Sequence, residues 1–319
     1  MYHFIINPAS KSGKGQKIWE RVKFVMKERN VEYKEYLTQK AGDATNFVRE
    51  LTSDLKGEKI HIVALGGDGT INEVVNGIMD FENTIISYIP TGSSNDLARD
   101  MRLSPDPAKA IKVIMDDPTM VQMDIGELQY EVKGKHSDIY TDNEVVTRRF
   151  AVSSDVGFGA SVCDIAQRSR IKKVFNKVGL GKLTYIGIAI SQLMGGQKIK
   201  CKVMLDEDRQ IELDRFLMVA TMIHKYEGGG VKFCPKADYK DGMLDVCVVG
   251  NIPRAKVLFV FPTAYAGKHL RFKNIDAYRT STIEVCLEEP VWIHTDGEAY
   301  SQTTHMKIRT LPEKVNFCY

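Results

Sequence analysis

The chain has 319 residues, 43% apolar and 27% charged, with 25 Gly and 10 Pro; that length suits two domains, and the composition excludes wholesale disorder and a collagen-like repeat. A net charge of +3 is too slight for affinity built on phosphate neutralisation, which excludes a nucleic-acid partner. The six cysteines (Cys163, Cys201, Cys234, Cys247, Cys286, Cys318) are scattered without a C-x-x-C pair and read as reduced thiols, as in a cytoplasmic protein.

Met1–Asn7 lacks a basic lead and reads as a first strand, Tyr2–Ile6. It runs into Asn7-Pro8-Ala9-Ser10-Lys11-Ser12-Gly13-Lys14, whose hydroxyls, glycine and lysines suit phosphate. A helix is predicted over Gln16–Arg29, with Trp19, Val22 and Met26 on one face. Strand Val31–Leu37 precedes a helix over Ala44–Leu55 that Asp43 can cap. The apolar strand Ile60–Leu65 ends in Gly66-Gly67-Asp68-Gly69-Thr70 and a helix over Ile71–Met79. Strand Thr84–Ile89 ends in Pro90-Thr91-Gly92-Ser93-Ser94-Asn95-Asp96-Leu97-Ala98-Arg99, which opens a short helix over Asn95–Met101. This alternation predicts a parallel sheet with helices on both faces and ligands beyond the strands' carboxyl ends.

After Val121 strands dominate: Phe150–Ser154, Ile199–Leu205, Phe216–Met222, Leu244–Val249, Ile283–Leu287 and Val291–His294, with helical stretches near Val162–Val174 and Leu183–Met194. A mostly antiparallel second domain, a sandwich, is expected. The boundaries read as 1–125 for an α/β domain and 126–304 for the β-rich one, with 305–319 returning to the first. Residues 1–125 carry 16 basic and 18 acidic groups; the remainder carries 28 and 23. The longest candidate span, Leu183–Met194, has 12 residues and is too short to cross a bilayer. Arg168–Lys182, with Arg168, Arg170, Lys172, Lys173, Lys177 and Lys182 interleaved by Ile171, Val174, Phe175 and Val178, suits an interfacial helix on anionic lipid.

No Walker or Rossmann phosphate loop, kinase H-R-D or D-F-G, H-E-x-x-H or G-x-S-x-G occurs. The Gly66–Thr70 turn takes their place. Its glycines let backbone N–H groups approach phosphate at the head of a helix. An aspartate there is costly beside phosphate unless a cation joins it, so Asp68 points to Mg²⁺ and phosphoryl transfer.

Together these loops resemble the diacylglycerol kinase catalytic domain, in its bacterial lipid kinase branch, over nearly the whole chain. N-P-x-S-G-K is matched by Asn7–Lys14, G-G-D-G-T-x-N-E-V-x-N-G by Gly66–Gly77 and P-x-G-T-x-N-D-F-A-R by Pro90–Arg99. Asp124 matches the V-D-x-G at the domain junction, Gly228–Val246 a metal-binding segment, and Asp296-Gly297-Glu298 a late D-G-E. Lys11-Ser12 is a two-residue insertion, Ser93 stands for threonine and Leu97 for phenylalanine.

The resemblance implies an α/β domain with a β-sandwich, the strand Met306–Arg309 returning to the first domain, and an ATP- and Mg²⁺-dependent lipid kinase. The first acceptor is diacylglycerol, giving phosphatidic acid. Sphingoid bases, ceramide or phosphatidylglycerol are alternatives; an NAD kinase or a non-catalytic nucleotide-binding regulator is less favoured. ATP would meet Asn7, Pro8, Ala9, Ser10, Ser12, Lys14 and Thr38 on one side. Its phosphates would meet Gly66, Gly67, Gly69, Thr70, Asn72, Gly92 and Ser93. Asp68, Asp96 and Asp124 would surround its Mg²⁺ with help from Arg99. Asp296 would act as general base with Glu298 beside it, Asp68 being the rival. A second Mg²⁺ would be held by Asp241 with the carbonyls of Asp238 and Met243. The partner is a lipid at a membrane surface, with peripheral contact at the inner face and a homodimer among the expected assemblies.

Overall fold

A computed structural model describes residues 1–132, 144–168 and 198–319. The first sheet has six strands in the order β2-β1-β3-β4-β16-β5. Strands β1 (Tyr2–Ile6), β2 (Tyr33–Leu37), β3 (Ile60–Gly66) and β4 (Thr84–Pro90) run parallel; β16 (Val315–Cys318) is parallel to β4 and antiparallel to β5 (Met120–Met123). Alternation along β1 divides its two faces. Phe4 and Ile6 pack with Trp19, Val22 and Met26 of α2 (Gly15–Glu28) and with Ile111 of α6 (Pro107–Asp116). Ile5 packs with Val48 of α3 (Asp43–Thr52) and Val74 of α4 (Asp68–Gly77). Asp43 does not cap its helix; it lies inside α3 and its Oδ2 accepts the N–H groups of Gln39 and Lys40 in the preceding turn.

The second sheet has ten strands, all pairing antiparallel. Sequence places two strands at Ile283–Leu287 and Val291–His294, but they form one long strand, β14 (Thr282–Thr295), whose register shifts between Cys286 and Val291. Its first half pairs β9 (Cys201–Leu205) and its second half pairs β8 (Ser153–Gly157), so one strand serves both parts of the sandwich. The run expected at Phe150–Ser154 is divided instead between β7 (Glu144–Phe150) and β8. Strands β11 (Phe216–Met222) and β12 (Leu244–Gly250) are covered on both faces, which explains their near-continuous apolar runs. One face meets the sandwich interior. The other meets Val257 and Val260 of α8 (Arg254–Ala264).

The return to the first domain is shorter and later than expected. Met306–Arg309 belongs to β15 (Glu298–Thr310), between β14 and β6 (Gly126–Val132) in the second sheet. Val315–Cys318 makes the return, inserting between β4 and β5. Helix α7 spans Phe158–Arg168 within the described residues; the rest of Val162–Val174 and all of Leu183–Met194 lie outside them.

Candidate active site

Three loops meet at the carboxyl ends of β1, β3 and β4, held by backbone and hydroxyl contacts. The Thr91 N–H donates to Gly66 O at 2.7 Å and the Asn7 N–H to Leu65 O at 2.9 Å. Ser10 Oγ and Thr91 Oγ1 share a hydrogen bond of 2.8 Å, and Asn7 Nδ2 donates to Thr70 Oγ1 at 3.3 Å. Gly67 and Gly92 abut; a Cβ on Gly92 would lie 2.6 Å from Gly67 Cα. Asn95, at φ 50°, clamps the second turn by accepting from the Gly92 N–H and donating to the Gly92 carbonyl. A cleft of about 390 Å³ results, lined by Asn7, Ala9, Ser10, Thr38, Gly67, Gly69, Thr70, Gly92, Glu73 and Glu298.

Other expected nucleotide residues lie around this cleft in different roles. Pro8 belongs to the first turn, Lys14 is exposed ahead of α2, and Ser93 is exposed in the second turn. Ser12 lies in α1 (Ser10–Gly13), and its side chain is outside the described ones. Asn72 is turned away from the phosphate turn: its Nδ2 donates to Asp296 Oδ2 at 2.7 Å and to Arg149 O at 3.2 Å. It ties α4 to the second domain.

The carboxylates separate into three kinds. Asp296, at φ 48°, is buried and accepts four hydrogen bonds: Oδ2 from Asn72 Nδ2 and Ala151 N, Oδ1 from Val152 N and Ser153 N, at 2.7–2.9 Å. Burial raises its pKa while these donors oppose the rise. Oδ1 is engaged within the second domain by Val152 and Ser153, and Oδ2 by Ala151 and, across the domain boundary, by Asn72.

Glu298 is different. It reaches the cleft from β15, so close to the glycine turn that a Cβ on Gly69 would lie 2.6 Å from its Oε1. Its Oε2 accepts from Tyr300 OH at 3.4 Å, and Arg148 stacks on the Tyr300 ring at 3.5 Å. Burial, then Glu73 and Asp296, raise its pKa.

Asp68 and Asp96 form the third kind. Burial and then Asp96 push the Asp68 carboxyl up to about 7, and its Oδ1 has no hydrogen-bond partner. Burial also raises Asp96, whose Oδ2 accepts from Gly229 N at 2.8 Å and whose Oδ1 has only the Arg99 guanidinium, 3.6 Å away. Two buried carboxylates with unfilled oxygens at a phosphate turn fit a hard divalent cation.

Asp124 is not among them. It is buried at the domain junction, where Oδ1 pairs with Lys314 Nζ at 2.6 Å and Oδ2 accepts from Gly242 N at 2.7 Å. The residues of the second expected Mg²⁺ site lie in the turn before β12. Asp241 forms an ion pair with Arg279 and accepts the Met243 N–H at 3.0 Å, while the Asp238 carbonyl accepts the Asp241 N–H.

Beyond the glycine turn lies a smaller pocket of about 160 Å³, lined by Asp68, Ser94, Asp96, Cys163, Glu227 and Asp296 among others. Glu227 stands one residue ahead of the Gly228–Val246 segment and escaped the sequence reading, as did Glu73, Arg148 and Tyr300. Glu73, at position eight of the glycine motif, had a local signal. The other three had none.

Comparison with known proteins gives two family models. The model described as the diacylglycerol kinase catalytic domain matches residues 1–128, and the YegS C-terminal NAD kinase beta sandwich-like domain matches 152–318. YtlR of Bacillus subtilis, provisionally named a lipid kinase, is 26% identical over 98% of this chain and 97% of its own. A diacylglycerol kinase of Mycobacterium tuberculosis is 26% identical over 92% of this chain and 87% of its own. The crystal structure of a diacylglycerol kinase from Bacillus anthracis shares the fold, with a TM-score of 0.68 and 19% identity, covering 100% of this chain and 96% of that one.

Proposed function

Since the chain belongs to the diacylglycerol kinase catalytic-domain family in its two-domain form, we propose that it transfers the γ-phosphoryl group of ATP to the hydroxyl of a lipid, diacylglycerol being the acceptor its relatives' names carry. The observation that carries this reading is Glu298 standing against Gly69, an acid from the second domain set at the phosphate turn of the first. The backbone of Gly67–Thr70 and Gly92 would bind the phosphates, while Asn7, Ser10 and Thr38 line the rest of the nucleotide cleft. Asp68 and Asp96 would hold Mg²⁺, which supplies charge neutralisation at the transferring phosphate. The lipid oxygen forms its bond to the γ-phosphorus as the bond to the ADP oxygen breaks, and Glu298 Oε1 takes the hydroxyl proton. Glu298→Gln keeps the shape and removes the proton acceptor. We expect kcat to fall about 10²–10⁴-fold with nucleotide affinity within about twofold of wild type. Turnover within tenfold of wild type would return the role to Asp68.

We further propose peripheral contact with an anionic lipid surface. Of the segment Arg168–Lys182, residues 169–182 lie outside the described ones; Arg168 itself pairs with Asp164 at 2.7 Å. Among the described residues α8 offers a surface of the same kind. Leu258 and Phe259 are 40% and 80% exposed, and Tyr265 just beyond is 45% exposed. From Asn251 to Lys273 the chain carries Arg254, Lys256, Lys268, Arg271 and Lys273 with no acid. The carbonyl of Ala264 accepts the Lys232 N–H at 3.0 Å, which joins α8 to the loop carrying Glu227. No helix among the described residues is long and apolar enough to cross a membrane. In vesicle sedimentation, Phe259→Glu should cut the fraction bound to anionic vesicles several-fold; unchanged binding would sink the assignment to α8.

A further inference from the structure

The smaller pocket borders three buried side chains that phosphoryl transfer, as described, leaves unused. Asp155 on β8 and His294 on β14 stand opposite each other in register, both fully buried, and Glu227 reaches them from the loop after β11. The Gly297 N–H donates to His294 Nδ1 at 3.3 Å, and the other ring nitrogen, Nε2, stands 2.7 Å from Glu227 Oε1 without hydrogen-bond geometry. Asp155 Oδ2 is farther from that nitrogen, at 3.9 Å, and neither Asp155 oxygen has a hydrogen-bond partner. Burial first, then Glu227, raise the pKa of the Asp155 carboxyl well above the ordinary range. Gly159 makes room for it, since a Cβ there would overlap Asp155 Oδ2.

One oxygen of Glu227 therefore lies against an imidazole whose Nδ1 is held by the Asp296-Gly297 turn. The other, Oε2, is buried without a partner on a residue that lines the pocket. As a carboxylate oxygen it accepts a hydrogen bond. The remaining charged lining residues are Asp68, Asp96 and Asp296, with no Lys or Arg among the described ones. Such a wall favours hydrogen-bond donors and cations and disfavours a phosphate-bearing head group.

We propose that Glu227 Oε2 is the recognition atom for the acceptor's head group, taking a hydrogen bond from a hydroxyl or ammonium that stands beside the hydroxyl to be phosphorylated. This rests on the lipid kinase reading and narrows its substrate class. Monoacylglycerols and amino-diols carry the second donor; 1,2-diacylglycerol, with one hydroxyl and two esters, does not. His294 acts as a positioning residue, orienting Glu227 rather than touching the lipid.

The test measures binding, not turnover. The full chain is loaded with Mg²⁺ and a non-hydrolysable ATP analogue and titrated calorimetrically with three soluble probes: 1-hexanoylglycerol, a hexyl 2-amino-1,3-diol and 1,2-dihexanoylglycerol. At least one two-donor probe should bind about tenfold or more tighter than the one-hydroxyl probe, because a site built around a donor rejects the analogue lacking it. The tighter of the two tells hydroxyl from ammonium. Glu227→Gln, which can turn an amide donor towards the pocket, should erase that margin and leave nucleotide affinity unchanged. Equal or tighter binding of 1,2-dihexanoylglycerol by wild type overturns the proposal without any variant. So does binding of none of the probes, or a margin that survives Glu227→Gln. Absence of ATP-dependent phosphorylation of any lipid would instead strike the kinase reading, and the ranking of probes is measured independently of it.

Discussion

The nucleotide cleft and the pocket beyond it are built from opposite materials. The cleft is mostly main chain: two glycine turns in contact, a small-residue loop, and hydroxyls that tie them together. The pocket takes its charge from four carboxylates, Asp68, Asp96, Glu227 and Asp296, drawn from both domains. Backbone donors recognise what every substrate of a kinase shares, the phosphates, and need only local chain geometry. Carboxylates recognise what differs between acceptors, and each must be placed by the fold. Conserving charge where it is bound and varying it where it is read requires two separate walls, and the glycine turn stands between them with Asp68 facing the pocket.

Asp296 gives the sharpest way to break this division, because it lines the pocket and bonds α4 through Asn72 yet is assigned to neither reaction nor recognition. Asp296→Asn replaces one acceptor oxygen with an amide donor that faces donors already in place. A buried mismatch of this kind costs about 3 kcal/mol or more. We expect the melting temperature to fall roughly 5–10 °C, with the folded fraction losing less activity than Glu298→Gln does. A variant that melts like wild type yet loses a hundredfold in kcat would return Asp296 to the chemistry. Gly69→Ala has a smaller expected effect and tests the boundary itself. Its methyl group would press on the free end of Glu298, and misplacement of a reacting group by about an ångström costs up to roughly 10²-fold in rate. Stability should hardly change, and stopped-flow turnover beside a thermal melt separates the two.

The smallest effect concerns the first sheet and pH. His61 Nε2 lies 2.9 Å from Ser87 Oγ, whose proton goes to the Cys318 carbonyl at 2.6 Å, so His61 is the donor in their contact. Burial and then the N-terminal charge lower its pKa from 6.5 to about 4. The neutral ring is the one the fold accepts. Its stabilisation is complete above the unfolded value of 6.5 and is lost as pH falls towards 4. Melts between pH 7 and pH 4.5 should decline less steeply for His61→Gln than for wild type; parallel curves would exclude His61 as a source of acid sensitivity.

Much of the first wall was legible in the sequence because its signals are contiguous. A strand, a glycine turn and a helix within one motif place Gly66–Thr70, and the same reasoning places Gly92 and Asn95. The second wall was not. His294 and Asp155 meet because β14 pairs β8, a register that no spacing along the chain encodes. Asp296 carries an acid's name in a D-G-E motif, but its donors come from residues 151–153 and from Asn72, contacts that no spacing along the chain encodes. Asp124 reads as a ligand by motif, and its pairing with Lys314 across the chain is likewise visible only in the fold. The returning strand was placed too early for a related reason: Met306–Arg309 and Val315–Cys318 are both short apolar alternations, and only the pairing partners distinguish them.

The insertion of β16 between β4 and β5 also sets an order of events during synthesis. As β5 leaves the ribosome its place beside β4 is still vacant, because residues 315–318 have yet to be made and β5 pairs with β16 rather than with β4. The first domain must therefore wait, with the edge of β4 open, through nearly two hundred residues of the second. An unpaired edge is a template for association with other chains. Completion of the β-rich domain then delivers the missing strand, so the nucleotide-binding sheet closes only when the domain that supplies Glu298 is already in place.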